Sequence, residues 1–210
     1  MKKLLILIIC LMFTRAAIAN PLFLLAGSQS APVSSHEIED DFTSDTSADY
    51  TVLTGALLIS DGTAKRGTNA LMRAWHQTEL SSADMYVQAN VENRTASSSG
   101  VLLRRSASNA RYYVVGVENS KIRLTHNSGA LADSGTGTLY TNASYHLRAE
   151  VVTNGTSNEI SVYLDGATTA TWTYTHTNAT DWSGKFVGIS SGYNVGNAVP
   201  TVDNFEAGAL

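Results

Sequence analysis

The sequence predicts an all-β protein built as two stacked antiparallel sheets, and three observations carry that expectation. Several segments alternate with a period of two, apolar residues on one face and polar residues on the other, the signature of strands packed on one side. Short apolar runs recur from about Ile38 to the end of the chain, separated by clusters of Gly, Asn, Asp and Ser that read as turns. No segment offers ten or more residues at helical spacing with credible caps. Thr, Val, Tyr and Ser dominate instead, which suits a pleated, half-buried surface. Ten or more such strands in one domain imply two sheets face to face.

The elements follow in order. Lys2 and Lys3 precede the apolar run Leu4 to Phe13, and Ala17 and Ala19 then place small residues two apart. A charged start, a short apolar stretch and a small-residue exit describe a signal peptide over residues 1–19, of bacterial type, cleaved after Ala19. The run is too short to span a bilayer. The expected destination is therefore secreted, periplasmic or on the cell surface, with no membrane span in the mature form. Cleavage would remove three of the 14 basic residues and none of the 18 acids, changing the formal charge from −4 to −7. That balance argues against nucleic acid and anionic membranes as partners. It would also remove Cys10, the only cysteine, leaving a domain held by its core alone. Residues 20–36 read as a linker with Pro, Gly and Ser punctuation, and residues 37–210 as one β-domain.

Within that domain, Met85, Val87, Ala89 and Val91 share one strand face, opposite Asp84, Tyr86, Gln88 and Asn90. Tyr145, Leu147, Ala149 and Val151 oppose His146, Arg148 and Glu150; Ile160, Val162 and Leu164 oppose Glu159, Ser161 and Tyr163. The segment from Gly100 to Leu124 reads as a three-stranded meander turning at Ser106 to Ala110 and at Asn119-Ser120. Strict alternation there points Val101 and Leu103 inward and Gly100, Leu102 and Arg104 outward. Arg104, one tyrosine of the pair Tyr112/Tyr113, and Lys121 or Arg123 would then share an outer face. His126 to Gly129 and Thr153 to Asn158 read as polar connections.

The order of DDF, SSADMYVQANV, SGVLLRRSASNARYYVVGVENSKIRL, YHLRAEVV, ISVYLDG, GKFVGI and VDNFEAG resembles a concanavalin A-like (LamG-type) jelly-roll β-sandwich over residues 37–210. The VYLDG strand-turn and the VDNF closing strand are the most telling pieces. The resemblance implies that the last strand lies beside the first, and that a concave sheet face receives glycans. Aromatic faces for sugar rings and convergent polar groups for hydroxyls are what such a face needs. Arg104, Tyr112, Tyr86, Gln88, Trp75 and Trp182 are the candidates. The plainer reading makes them ordinary outer-face residues and core aromatics. The resemblance also implies calcium near the paired termini, where Asp40, Asp41 and Asp203 would supply hard oxygen ligands. The plainer reading there is acids that end strands and face water.

Catalytic patterns are weak. Gly188 to Gly192 matches G-x-S-x-G, but the residues that follow Ser190 cannot make the helix that motif requires. Glu37 to Asp41 has the wrong spacing for the carboxylate strand of related retaining glucanases, and glycoside hydrolysis needs two acids facing one cleft. The five histidines show no metal spacing. Four N-x-[ST] sequons, at Asn93, Asn142, Asn154 and Asn178, read as chance products of a polar surface. The sequence thus favours a secreted, non-catalytic, lectin-like module that binds a glycan or polysaccharide. The alternatives are a glycoside hydrolase or polysaccharide lyase of the same fold, and a structural or adhesion module of a cell surface or virion.

Overall fold

A computed structural model describes residues 36–94, 97–107, 111–127, 129–134, 139–140, 142–179, 181–192 and 199–210. The expected signal peptide, Cys10 and the linker up to residue 35 lie outside the described residues. In chain order the strands are β1 (Ile38–Asp40), β2 (Tyr50–Thr54), β3 (Leu57–Ser60), β4 (Thr63–Arg66), β5 (Met72–His76), β6 (Met85–Asn93), β7 (Ser99–Arg105) and β8 (Tyr113–Glu118). They continue with β9 (Lys121–His126), β10 (Gly129–Asp133), β11 (Ala143–Asn154), β12 (Ser157–Leu164), β13 (Trp172–His176), β14 (Phe186–Ser191) and β15 (Val202–Ala209). One short 3-10 turn, Ser47–Asp49, precedes β2.

These strands form two antiparallel sheets. The eight-stranded sheet runs β13-β12-β11-β6-β15-β4-β3, with β1 also paired to β15; the seven-stranded sheet runs β10-β9-β8-β7-β14-β5-β2. First and last strands meet as the resemblance implied, with Ile38 opposite Ala207 and Asp40 opposite Phe205. Between the sheets the in-out alternation closes the core. Met85, Val87, Ala89, Val91, Leu147, Ala149, Val151 and Val162 come from one layer, and Met72, Val101, Leu103, Val115, Val117, Leu124 and Ile189 from the other; all have no exposed surface. Each buried Val, Leu, Ile or Met among them contributes about 1.5–3 kcal/mol on burial.

Turn chemistry fixes the registers. Glu118 pairs with Lys121 across Asn119-Ser120, both at positive φ (48° and 69°), the backbone that a two-residue hairpin of matching twist demands. Asp61 and Gly62 (φ 57° and 68°) do the same between β3 and β4. The connection expected over Thr153 to Asn158 is shorter than the sequence implied. Asn154 still pairs with Ser157, so only Gly155 and Thr156 form the turn. Of the sequon asparagines, Asn142, Asn154 and Asn178 are exposed. Asn93 is fully buried and donates from its amide to the Tyr140 carbonyl (2.8 Å), so the surface position expected for it is not what the fold has.

Candidate functional site

Alternation fails at one residue, and that failure decides which side chains reach the surface. On β7, Leu102 pairs with Gly188 of β14, but the next pair is Arg105 with Phe186. Two residues of β7 therefore oppose one of β14, a β-bulge. Arg104 sits in this bulge at φ 56°. The extra residue turns Arg104 into the sandwich and gives the outward place to Arg105. The expectation that Arg104 shares the outer face is thus corrected.

Arg104 is 1% exposed, and each of its five N–H donors has an acceptor. Nε donates to the Ala83 carbonyl (2.9 Å), one terminal nitrogen to Asn158 Oδ1 (2.6 Å) and the Trp182 carbonyl (3.0 Å), the other to Asp84 Oδ1 (2.8 Å) and Thr153 Oγ1 (2.9 Å). These partners lie before β6 and on β11, β12 and the loop ahead of β14, so one side chain ties the two sheets together. Burial still draws its guanidinium below its ordinary range, against the pull of Asp84. Trp182 belongs to the same interior end. It stacks on Tyr113 (centroids 4.7 Å apart) and meets the His176 ring edge-on (5.1 Å). Burial pushes the Tyr113 hydroxyl up to about 12; it contacts His176 Nδ1 at 2.7 Å and accepts from Asn158 Nδ2 (2.9 Å).

The outer face of the seven-stranded sheet is different. One register row runs Arg73, Ser190, Gly100, Gly116, Arg123 across β5, β14, β7, β8 and β9. At neighbouring-strand spacing the two arginine backbones stand roughly 19 Å apart, with only small residues between them. Side chains are excluded from that floor. A Cβ on Gly100 would lie 2.2 Å from the Val115 carbonyl oxygen, and one on Gly116 2.8 Å from that of Ser99. The result is an open groove of about 220 Å³, lined among others by Arg73, Ser97, Glu118, Arg123, Thr125 and Ser190. That is below the usual range for drug-sized ligands, about 300–1,000 Å³.

An apolar shelf borders the groove. Leu102, Tyr112 and Val114 form a second buried cluster, with Leu53 against it, outside the main core. Arg73 donates to the Tyr112 hydroxyl (3.0 Å) and lies 5.6 Å from the ring centroid. Arg105 stands 5.9 Å from the same ring and 5.6 Å from that of Trp75. Trp75 is partly exposed and packs edge-on against Phe186 (4.4 Å). Four buried side-chain polar atoms of this region have no hydrogen-bond partner among the described residues: Arg73 Nε, Trp75 Nε1, Ser97 Oγ and Arg123 Nε. Folded proteins rarely leave such groups unmatched.

Tyr86 and Gln88 lie on the opposite side of the molecule, the outer face of the eight-stranded sheet. Tyr86 has no exposed surface; the Arg148 guanidinium covers its ring at 4.1 Å and its hydroxyl meets His36 Nδ1 at 3.0 Å. Gln88 donates to Glu206 and accepts from Arg148 (3.3 Å). Arg148 also bonds Glu150 (2.8 Å), which accepts from Tyr163 (3.1 Å). The six expected ligand residues therefore fall into three separate pairs: Arg104 with Trp182 in the interior, Tyr86 with Gln88 on the eight-stranded face, and Tyr112 with Trp75 beside the groove.

The three aspartates do not form one site either. Both Asp40 oxygens are taken, by the Phe42 amide (2.9 Å), Thr46 Oγ1 (2.7 Å) and the Tyr50 hydroxyl (3.1 Å). Asp41 accepts from the Thr43 amide and hydroxyl (3.0 and 2.8 Å). Asp203 pairs with Asn90 on β6, and a register shift at Asn204 (φ 48°) separates it from the stretch of β15 that β1 joins. Asp203 borders a depression with Asn90 and His146, while Asp40 and Asp41 border another with Asp49 and His76. The three aspartates expected to bind calcium thus border two different depressions, and among the described residues no group of three or more His, Cys, Asp or Glu is placed to hold a metal. Ser190 lies within β14, bonded weakly to the Met72 carbonyl (3.4 Å), rather than at a strand-to-helix elbow.

Sequence reasoning missed Arg73, Arg105 and Ser97. The available signal was glycine: Gly100, Gly116 and Gly188 stand at mid-strand positions where a side chain would normally pack, a mark of close backbone approach or a ligand surface.

No family model and no curated protein sequence matches the chain. Solved structures do. The chain is similar to the carbohydrate-binding module CBM66 from Bacillus subtilis (16% identity, TM-score 0.56, 77% of this chain and 96% of that one). It is also similar to the Emp46p carbohydrate recognition domain (11%, TM-score 0.56, 83% and 94%) and to the VIP36 exoplasmic/lumenal domain in its Ca²⁺/Man-bound form (8%, TM-score 0.53, 77% and 83%). At such identities the likeness is one of architecture: the chain has the two-sheet antiparallel jelly-roll fold of concanavalin A-like proteins.

Proposed function

We propose that the chain is a secreted carbohydrate-binding module whose saccharide lies in the groove on the outer face of the seven-stranded sheet. The observation that carries this reading is the row Arg73, Ser190, Gly100, Gly116, Arg123. It is a flat backbone floor with polar groups at both ends and an apolar shelf alongside. Hydroxyl-rich ligands need donors and acceptors held in place, together with a surface for their C–H faces. Ser190, Thr125 and Glu118 supply the former; Val114 and the partly exposed Trp75 supply the latter. Tyr112, buried beneath the two arginines, positions Arg73. The similar solved structures include a carbohydrate-binding module, a carbohydrate recognition domain and a Man-bound lumenal domain, which favours the same class of ligand.

A glycan array tests this with the wild-type chain and with Thr125→Trp, which fills the groove from a partly exposed strand position. Binding that disappears in the variant, with unchanged circular dichroism, supports the reading. Binding untouched by the variant moves the site elsewhere, and no binding by the wild type to any saccharide removes the function.

A further inference from the structure

Among the described residues, one end of the groove carries a positive charge, Arg73, with no ion pair. Arg73 and Arg123 terminate the same row, yet their surroundings differ. Arg123 meets Glu118 (2.7 Å) and Asp133 (3.7 Å), and Asp133 also meets Lys121. The charges at that end are matched. Glu118 is the one acid lining the groove among the described residues, and it is committed to Arg123. Arg73 forms no ion pair among the described residues; its hydrogen bond goes to a neutral phenol, Tyr112 (3.0 Å). The Tyr112 ring lies beneath the Arg73 guanidinium, in a chain whose overall formal charge is −4. Next to it lies Ser97, 2% exposed, its hydroxyl without a hydrogen-bond partner among the described residues.

From this asymmetry we infer that the groove selects a saccharide bearing an anionic group, a uronic carboxylate or a sulfate ester, and that this group docks on Arg73. The inference rests on the groove being the saccharide site. A guanidinium presents paired N–H donors that match two oxygens of a carboxylate or sulfate. With no acid paired to it among the described residues, Arg73 has no competing partner of that kind there. Neutral hydroxyls of the same ligand then face Ser190, Thr125 and the Glu118–Arg123 pair, whose mutual bond leaves acceptor and donor edges of both signs.

Isothermal titration of the full chain with tetragalacturonate, its carboxyl-reduced neutral counterpart, and a sulfated galactan tetrasaccharide with its desulfated counterpart decides the matter. At least one anionic probe is expected to bind tenfold or more tighter than its neutral counterpart. Added salt should erode that preference, because a partly exposed ion pair is screened. Arg73→Gln should abolish the preference, lowering affinity for the anionic probe far more than for its neutral counterpart, and Arg73→Lys should retain part of it. Which anionic probe prevails identifies carboxylate or sulfate as the group read. Equal binding of anionic and neutral probes overturns the inference and leaves the saccharide site standing. Binding of none of the probes, or a preference unchanged in Arg73→Gln, overturns it as well, and the former result also counts against the proposed function.

Discussion

The two outer faces of the sandwich are both polar, and they differ in whether their polar groups are spent. On the eight-stranded sheet, Glu206, Gln88, Arg148, Glu150 and Tyr163 form a chain of side-chain bonds running across β15, β6, β11 and β12. Arg148 in addition covers the Tyr86 ring. Little is left over for a ligand. On the seven-stranded sheet, glycines interrupt the side-chain row and Arg73, Trp75, Ser97 and Arg123 each keep a buried polar atom unmatched among the described residues. An exposed row of charged residues is therefore a poor marker of a site. A better one is a row in which small residues surround a charged one, so that no neighbouring side chain in the row can satisfy it.

The largest effect should come from neither face but from the interior residue that joins the sheets. Arg104→Ala strips Asp84, Thr153, Asn158 and two carbonyls of their shared donor, a loss of about 3–5 kcal/mol by analogy with broken buried pairs. Urea unfolding measures it. Ligand affinity of the fraction still folded should be unchanged; a selective loss of affinity at full stability would return Arg104 to the binding face.

Next in size is the groove floor. Gly100→Ala places a methyl 2.2 Å from the Val115 carbonyl oxygen, and backbone displacement of this kind costs about 1–3 kcal/mol. Thermal melting would register it, and saccharide binding should weaken with it. Unchanged melting would show that β7 and β8 are not in the register described.

Acid should destabilise the closed end of the sandwich more gently. Burial lowers the His176 pKa from its ordinary value of 6.5, and His126 nearby lowers it further. The folded chain therefore favours neutral His176, in contact with the Tyr113 hydroxyl, while the unfolded chain takes up a proton once the pH falls below 6.5. Stability is full above that value and declines as the pH drops toward the folded pKa. Burial lowers His76 in the same direction. The melting temperature should fall as the pH drops below 6.5, by less in His176→Gln. An identical fall in that variant would assign the effect to other groups.

The smallest effect belongs to the self-satisfied face. Arg148→Ala should cost at most about 1 kcal/mol, as partly exposed pairs do, and should leave saccharide binding untouched. A loss of binding there would reverse the assignment of the two faces.

How much of this was legible in the sequence depends on what alternation encodes. It separates inside from outside, and Met85, Val87, Ala89 and Val91 are buried with no exposed surface, as the pattern implies. It does not say which sheet a strand joins. Tyr86 and Gln88 on β6 and Tyr112 before β8 look like neighbours along the chain, yet β6 and β8 belong to different sheets, so their outer faces point in opposite directions. Alternation also holds only while the count of residues matches across the ladder. The positive φ at Arg104 and the register shift beside it exchange the roles of Arg104 and Arg105, and no local residue preference announces that exchange, since neither is Gly, Asn or Asp. The same holds for Asp203, displaced from Asp40 by the irregularity at Asn204.

The most direct test is chemical-shift mapping of the amide resonances during titration with a bound saccharide from the array. The account predicts that shifts concentrate on Arg73, Ser190, Gly100, Gly116 and Thr125, spanning four neighbouring strands and β9 at the edge of the groove. Shifts concentrated on Gln88, Arg148 and Glu150, or at the interior end around Arg104 and Trp182, would contradict it.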